Sequence, residues 1–479
     1  MSLATELREL RRSAVPLNSV QQRTLSAFIG WLAEGGRLEH IEVCAACETR
    51  NFESLQYHDR FGLGFGAFIC RSCGLVSTSP RIKDEQLPEY YRRFYLPLTM
   101  GVEGSDAPKF LVSSEQGAKI YSFVAPYFLS RSETVLDVGE VGCGPGGNLA
   151  AIRDQFARDG MHARVTGCEY SEHYADYASN QLGITYVQGG LDELLAGHYQ
   201  FDLLVLSHVF EHMVDLRQVK EKLLRLLKPQ GLLYVEVPGL LSFQEKAYYQ
   251  AELRRFLTHA HVYNFSLASL MAVMQPTFEA MVGNEDVQAL FKVRTQTLNV
   301  GGTVQSSYEV VRDHLLRLCQ QREAQAEHYA LELKKWREQG RVRDVESALV
   351  QLLLTFPDSI HLANLYAEVL FELGKLEQAL SLLHGSVEVG LADETTFNNL
   401  AVILWESGEQ QAALGYFKRA LDLNPGNRET VTNYGEALTV VGNVAEASDI
   451  YETYLKIDPQ DREVAHLSAS LMEVGKKEL

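Results

Sequence analysis

The stretch ETVLDVGEVGCGPGGNLA, Glu133 to Ala150, decides the reading of this chain. Its spacing predicts a buried strand over 134–138, then a glycine loop, then a helix. Apolar β-branched residues suit the strand, and glycines let the backbone after it close on a small ligand. Gly142, Gly144, Gly146 and Gly147 remove the side chains that would hold such a molecule off. An acid just before them, Glu140 or Asp137, is placed to accept a hydrogen bond from a bound polar group.

Outward from this stretch, strand and helix alternate, which implies a parallel sheet with helices on both faces. GAKIYSFVAPYFL has helical period and precedes the first strand, and NLAAIRDQFARDG is the helix after the loop. ARVTGCE reads as the second strand, ending in Glu169, and YSEHYADYASNQLG as the second helix, stopped by Gly183. TYVQGG is a short third strand and FDLLVLSHVFEH a fourth, apolar until it leaves the sheet. VDLRQVKEKLLRLLK is an amphipathic helix that stops at Pro229-Gln230-Gly231, before the fifth strand, LLYVEVPG. Ligands of such sheets bind at the carboxyl ends of the strands. That rule collects Asp137, Glu140, Gly142 to Gly147, Glu169, Ser207, His208 and Glu236 on one rim. Beyond Gly239 the pattern reads as helix, loop and helix, with strand material in ALFKV.

Upstream, residues 1–40 are expected to be helical, from the apolar spacing in TLSAFIGWLAEGG. Cys44-Ala-Ala-Cys47 and Cys70-Arg-Ser-Cys73 follow, 22 residues apart. Two such knuckles can set four thiolates around one Zn²⁺ in a tetrahedron. Four thiolates leave no open coordination position, so the expected zinc is structural. Residues 41–80 are therefore read as a zinc ribbon and 81–300 as the α/β domain, with the aromatic, basic LPEYYRRFY mostly packing between them. Cys143, Cys168 and Cys319 carry no signal.

The C-terminal part repeats. Gly340, Gly374, Gly408 and Gly442 fall 34 residues apart, as do Ala379, Ala413 and Ala447, and Pro425 and Pro459. Glycine turns one helix into the next, small residues let paired helices approach, and proline begins the next unit. This pattern resembles the tetratricopeptide repeat, with whole repeats over about 360–393, 394–427 and 428–461, a degenerate one before and a capping one after. Residues 340–479 are read as this solenoid, an all-α binding or self-association surface, and 301–339 as a charged helical connector.

At 479 residues the chain is long enough for two to four domains, and 46% apolar residues with 10% aromatics allow each a core. A net charge of −18 argues against a general nucleic-acid binder. No apolar run approaches the roughly 20 residues of a membrane span, and MSLATELRELRRSAVPLNSV has no apolar signal core. Seven cysteines in a chain without that signal point to reduced thiols and a cytoplasmic setting.

Glu140-Val-Gly142-Cys-Gly144-Pro-Gly146 resembles the first motif of class I S-adenosylmethionine-dependent methyltransferases, and FDLLVLSHVFEHMVDL and LKPQGLLYVEVPG resemble their fourth and fifth strand regions. The ribbon, with CGLVSTSPRIKDEQLPEYY, and HVYNFS are similar to methyltransferases of sugar and surface-glycan modification. The resemblance covers roughly residues 40–300. It implies a Rossmann-like fold and S-adenosylmethionine as cofactor. It carries cofactor contacts to Asp137 or Glu140, Gly142, Gly144, Gly146, Glu169 for the ribose, Tyr170, Leu191 and Ser207. It also implies O-methylation of a sugar or polysaccharide acceptor, with the repeats recruiting a protein partner. The usual acid stands two residues before the first glycine; here three residues look added between Asp137 and the loop, so both acids stay open. Methyl transfer is mostly positioning, and a hydroxyl acceptor gains from a base near neutral pKa. His208 and His212 in SHVFEH and His259 and His261 in THAHVYNF are the candidates, with His261 and His208 favoured, and His208-x-x-Glu211-His212 also has metal-ligand character. Another acceptor remains open: a protein, a small molecule or a sugar carbon. Two further readings compete: a nicotinamide dehydrogenase, because Gly142-x-Gly144-x-x-Gly147 also fits a dinucleotide loop, and a scaffold with a vestigial enzyme fold.

Overall fold

The computed structural model describes residues 13–102, 114–294 and 306–475. The chain divides into two compact units, with the boundary at Leu318/Cys319. It falls inside the helix Tyr308–Glu338 rather than at the first turn glycine.

In the first unit, β1 (Phe52–Gln56), β2 (Gly66–Cys70) and β3 (Val76–Ser79) form an antiparallel sheet beside the cysteine pairs. The larger sheet holds β4 (Val135–Val141), β5 (His162–Glu169), β6 (Thr185–Gln188), β7 (Phe201–Ser207) and β8 (Leu227–Glu236), all parallel. Then β9 (Tyr263–Asn264) crosses to the small sheet and pairs with β3. Two further strands, β10 (Phe278–Gly283) and β11 (Gln288–Val293), close the large sheet antiparallel, giving the order β10-β11-β8-β7-β4-β5-β6. The helix Ser19–Ala33, capped by Asn18, and the helical segment 87–100 pack around Phe28, Trp31, Tyr90 and Phe94.

The apolar run of β7 is buried on both faces, as a central parallel strand requires. Leu203 and Val205 join one core with Leu136, Val138 and Tyr234, while Leu204 and Leu206 join the other with Val141, Leu233 and Val235. Strand order reverses at β4, whose neighbours are β5 and β7. That switch point opens a crevice beyond the end of β4.

Three expectations are corrected, and one strand is new. The first strand runs on through Gly139, Glu140 and Val141, because β5 and β7 pair with it over that length. The helix expected over 170–183 is two short turns, with Ala178 and Ile184 packed under Gly146. The helices expected beyond Gly239 shrink to Leu253–Phe256 and Leu267–Met274. The edge strand Phe278–Gly283 was not foreseen, since only one of its faces is covered.

In the second unit eight helices from Val342 to Gly475 follow in pairs. Gly340, Gly374, Gly408 and Gly442 have φ of 77°, 72°, 85° and 82°, the left-handed turn that ends a helix. Ala379, Ala413 and Ala447 are fully buried. Residues 301–339 were expected to be only a charged connector, and of these 306–339 are described. Instead Ala326, Ala330 and Leu333 of the long helix are buried with Val345, Leu349 and Leu362, so this helix packs as part of the array. Among the described residues no helix is long and apolar enough to cross a membrane.

Candidate active site

At the crevice, Gly142, Gly144 and Gly146 all take left-handed φ, 67°, 50° and 86°. A Cβ on Gly142 or Gly146 would meet Val209 or Ile184, whereas one on Gly144 would meet nothing within 4 Å. Gly144 therefore presents bare backbone to open space. Its N–H donates to Glu169 Oε2 at 3.3 Å, and Ser171 N–H donates to Oε1 at 3.1 Å. Burial raises the Glu169 carboxyl above its ordinary value, and these N–H bonds work the other way.

Glu140 lies under the loop, 1% exposed. Asn148 Nδ2 donates to its Oε1 at 2.8 Å, and its Oε2 has no hydrogen-bond partner among the described residues. Burial pushes its carboxyl up to about 8; Asn148 opposes this, and Glu169 and Glu236 add to it. Asp137 sits elsewhere. It pairs with Arg164 at 2.6 Å and Lys228 at 2.6 Å, toward the opposite end of β4, where Lys228 also reaches Asp202. The expectation that Asp137 shares the rim is therefore corrected, because four residues of strand, Val138 to Val141, separate it from the loop. Glu236, ending β8, accepts from Tyr234 at 3.1 Å, Gln288 at 3.0 Å and Gln116. Ser207 Oγ reaches the same carboxylate at 3.4 Å. Tyr170 follows Glu169 and is 62% exposed, and Leu191 starts the helix after β6.

Beyond the end of β7 stand the histidines. His208 has φ 56° and a half-exposed side chain, and its N–H donates to Glu236 O at 2.8 Å. Desolvation lowers the His208 pKa, but Glu211, then Glu236, more than offset it, so it rises above the ordinary value. His212 Nδ1 donates to Ala260 O at 2.7 Å, and its ring meets His261 edge-on at 5.0 Å and Tyr95 at 5.7 Å. His261 is held well below its ordinary value, by desolvation first and then by His212, Arg60 and His208.

The loop carrying His261 is clamped by the small sheet. Thr78 Oγ1 donates to His261 O at 2.6 Å, and Thr78 N–H donates to Val262 O at 2.9 Å. One turn earlier, His259 bridges Asp59 at 2.7 Å and Tyr90 OH at 2.9 Å, all three fully buried or nearly so. Sequence reasoning missed this clamp; Tyr95, read as packing, and Glu211, read with His208 and His212 as having metal-ligand character, both stand beside the histidines. Only HVYNFS hinted at the clamp.

Cys44, Cys47, Cys70 and Cys73 come together, as expected, in one cluster. Sγ atoms of Cys44 and Cys73, and of Cys47 and Cys70, lie 3.5 Å apart. A tetrahedral Zn²⁺ with Zn–S near 2.3 Å has sulfur–sulfur edges of about 3.8 Å, so these thiols fit that ion. The knuckles match each other. Glu48 N–H donates to Cys44 O at 2.9 Å and Gly74 N–H to Cys70 O at 2.8 Å, and both donors have positive φ.

Residues 139–235 match the methyltransferase domain family, and 358–425 and 404–471 match tetratricopeptide repeat families. The C-methyltransferase NovU of Streptomyces niveus is 24% identical over 212 residues, spanning 43% of this chain and 44% of that protein. Less than half of that relative is thus matched. Among solved structures, YrrB, a repeat protein with an unusual peptide-binding site, is 16% identical over 31% of this chain and 76% of its own, with a TM-score of 0.26. A thermophilic repeat protein in Thermus thermophilus is 22% identical over 34% and 93%, with a TM-score of 0.29. The chain therefore carries a methyltransferase domain in its α/β sheet, followed by tetratricopeptide repeats.

Proposed function

We propose that this protein transfers a methyl group from S-adenosylmethionine to a sugar or glycan acceptor. The observation that carries the reading is the rim itself: bare backbone at Gly144, bonded to Glu169, with Glu140 buried near the end of β4, the strand that leads into the loop. Glu169 would hold the ribose hydroxyls, and Glu140, with Asn148, would face the methionine end. Gly142, Gly146, Tyr170, Leu191 and Ser207 would line the rest. The donor supplies an already activated methyl, so the chain's own task is alignment, exclusion of water and removal of the acceptor's proton. His208, His261 and His212 are the groups positioned to take that proton.

The leading acceptor atom is a hydroxyl oxygen. Similarity to a protein named a C-methyltransferase favours a second reading, transfer to a sugar carbon. The Cys₄ cluster would hold structural Zn²⁺, its unpaired thiols suit a reducing, cytoplasmic setting, and the repeats would recruit a partner protein or a second copy.

Titration calorimetry tests the donor. Binding of S-adenosylhomocysteine and none of NAD is expected; NAD binding alone would return the site to the dehydrogenase reading. An acceptor screen with labelled donor then tests transfer, and NMR of the product separates O-methyl from C-methyl. Persistence of the protein's biological activity when Gly144→Arg abolishes donor binding would favour the scaffold.

A further inference from the structure

Glu211 is 1% exposed, and among the described residues neither of its oxygens accepts a hydrogen bond. His208 Nδ1 and His212 Nε2 stand 3.7 and 3.8 Å from Oε1, beyond hydrogen-bond reach. A buried carboxylate left this way is costly unless something positive completes it. One ligand atom each from Glu211, His212 and His261 lies within 4.8 Å of the others. Because His212 Nδ1 spends its hydrogen on Ala260 O, its Nε2 keeps a lone pair on the Glu211 side. A carbonyl fixing the far nitrogen is how metal-bound imidazoles are usually oriented. The same short segment supplies both that carbonyl and His261, and Thr78 pins it from the small sheet.

We propose that Glu211, His212 and His261 form a second metal centre, which binds a divalent transition-metal ion through two imidazoles and one carboxylate. Imidazole with a carboxylate suits Zn²⁺ or Fe²⁺ better than Mg²⁺ or Ca²⁺. Three protein ligands leave coordination positions open, unlike the closed four-thiolate cluster. An imidazole bound to the ion cannot also take a proton, so with the metal in place His208 alone of the three histidines is left as the base, and the open positions suit an oxygen of the acceptor. That last role rests on the methyl-transfer reading; the metal centre does not.

The test uses the full-length chain, stripped of metal and reduced, titrated with Co²⁺ and read by visible absorption. Thiolate-bound cobalt shows intense sulfur-to-metal charge transfer, whereas a nitrogen and oxygen site shows weak d–d bands alone. The expected result is about one equivalent of each kind. Glu211→Gln and His261→Ala should lose the weak-band equivalent and keep the thiolate one, whose retention also reports folding. Zinc-edge X-ray absorption on the zinc-loaded wild type gives a second measurement independent of the variants, with imidazole scattering expected beside the sulfur shell. Cobalt bound through thiolate alone, an unchanged weak-band equivalent in both variants, or a zinc spectrum without imidazole would overturn the proposal. Donor binding is measured separately by calorimetry, so failure of the metal centre and failure of the methyltransferase reading stay distinguishable.

Discussion

The two units assemble their important residues in opposite ways. In the repeat unit each helix packs chiefly on the helices before and after it, so contacts are short in sequence and alike from unit to unit. In the α/β unit the rim and the histidine loop join segments far apart: Thr78 to His261, Asp59 to His259, Gln116 to Glu236. Damage should therefore stay local in the array and spread in the sheet domain.

The sharpest way to break this contrast is Cys70→Ser. If the cluster holds the proposed zinc, losing one thiolate should loosen β2 and β3, and with them the grip of Thr78 on the His261 loop. Calorimetry should show the first unit melting lower by about 10 °C or more, with the repeat transition unmoved. Equal shifts in both would defeat the idea. Next, Glu169→Ala removes an acceptor at the crevice without touching either core. S-adenosylhomocysteine affinity should fall about 10- to 100-fold, with melting almost unchanged. In the array, Ala413→Leu puts a large side chain between paired helices and should cost about 1–3 kcal/mol, confined to the second unit. Donor affinity in that variant should equal wild type.

The mildest effect concerns pH. Glu140 is raised from an ordinary 4.5 to about 8, so between those values the folded chain keeps a proton that the unfolded chain gives up. Stability from this group is therefore present at low pH and lost as pH rises through that window. Glu140→Gln removes the dependence. Its melting temperature should gain on wild type by a few degrees as pH climbs from about 5 to about 8. A constant difference across that range would count against a buried, proton-holding Glu140.

Much of this was legible from local pattern. The glycine loop, the apolar β7 and the 34-residue period are each written within one or two elements. The two cysteine pairs are legible for the same reason. What was hidden depended on register or burial. Asp137 and Glu140 are three residues apart, and only the pairing of Asp137 with Arg164 shows that one belongs to the far half of the strand. His261 looked like His259, but the first faces His212 while the second is spent on Asp59 and Tyr90. Glu211 was read with His208 and His212 as having metal-ligand character, but its burial and the approach of His261 were not legible. The long helix looked polar because its buried positions are small alanines as much as leucines.

That helix carries a practical lesson for anyone who wants the array alone. Counting back from the turn glycines suggests cutting at Gly340, which would discard Ala326, Ala330 and Leu333 and uncover Val345 and Leu349 to water. A fragment begun there should aggregate or come apart at its leading edge. One begun at Cys319 keeps its own lid and should stay monodisperse.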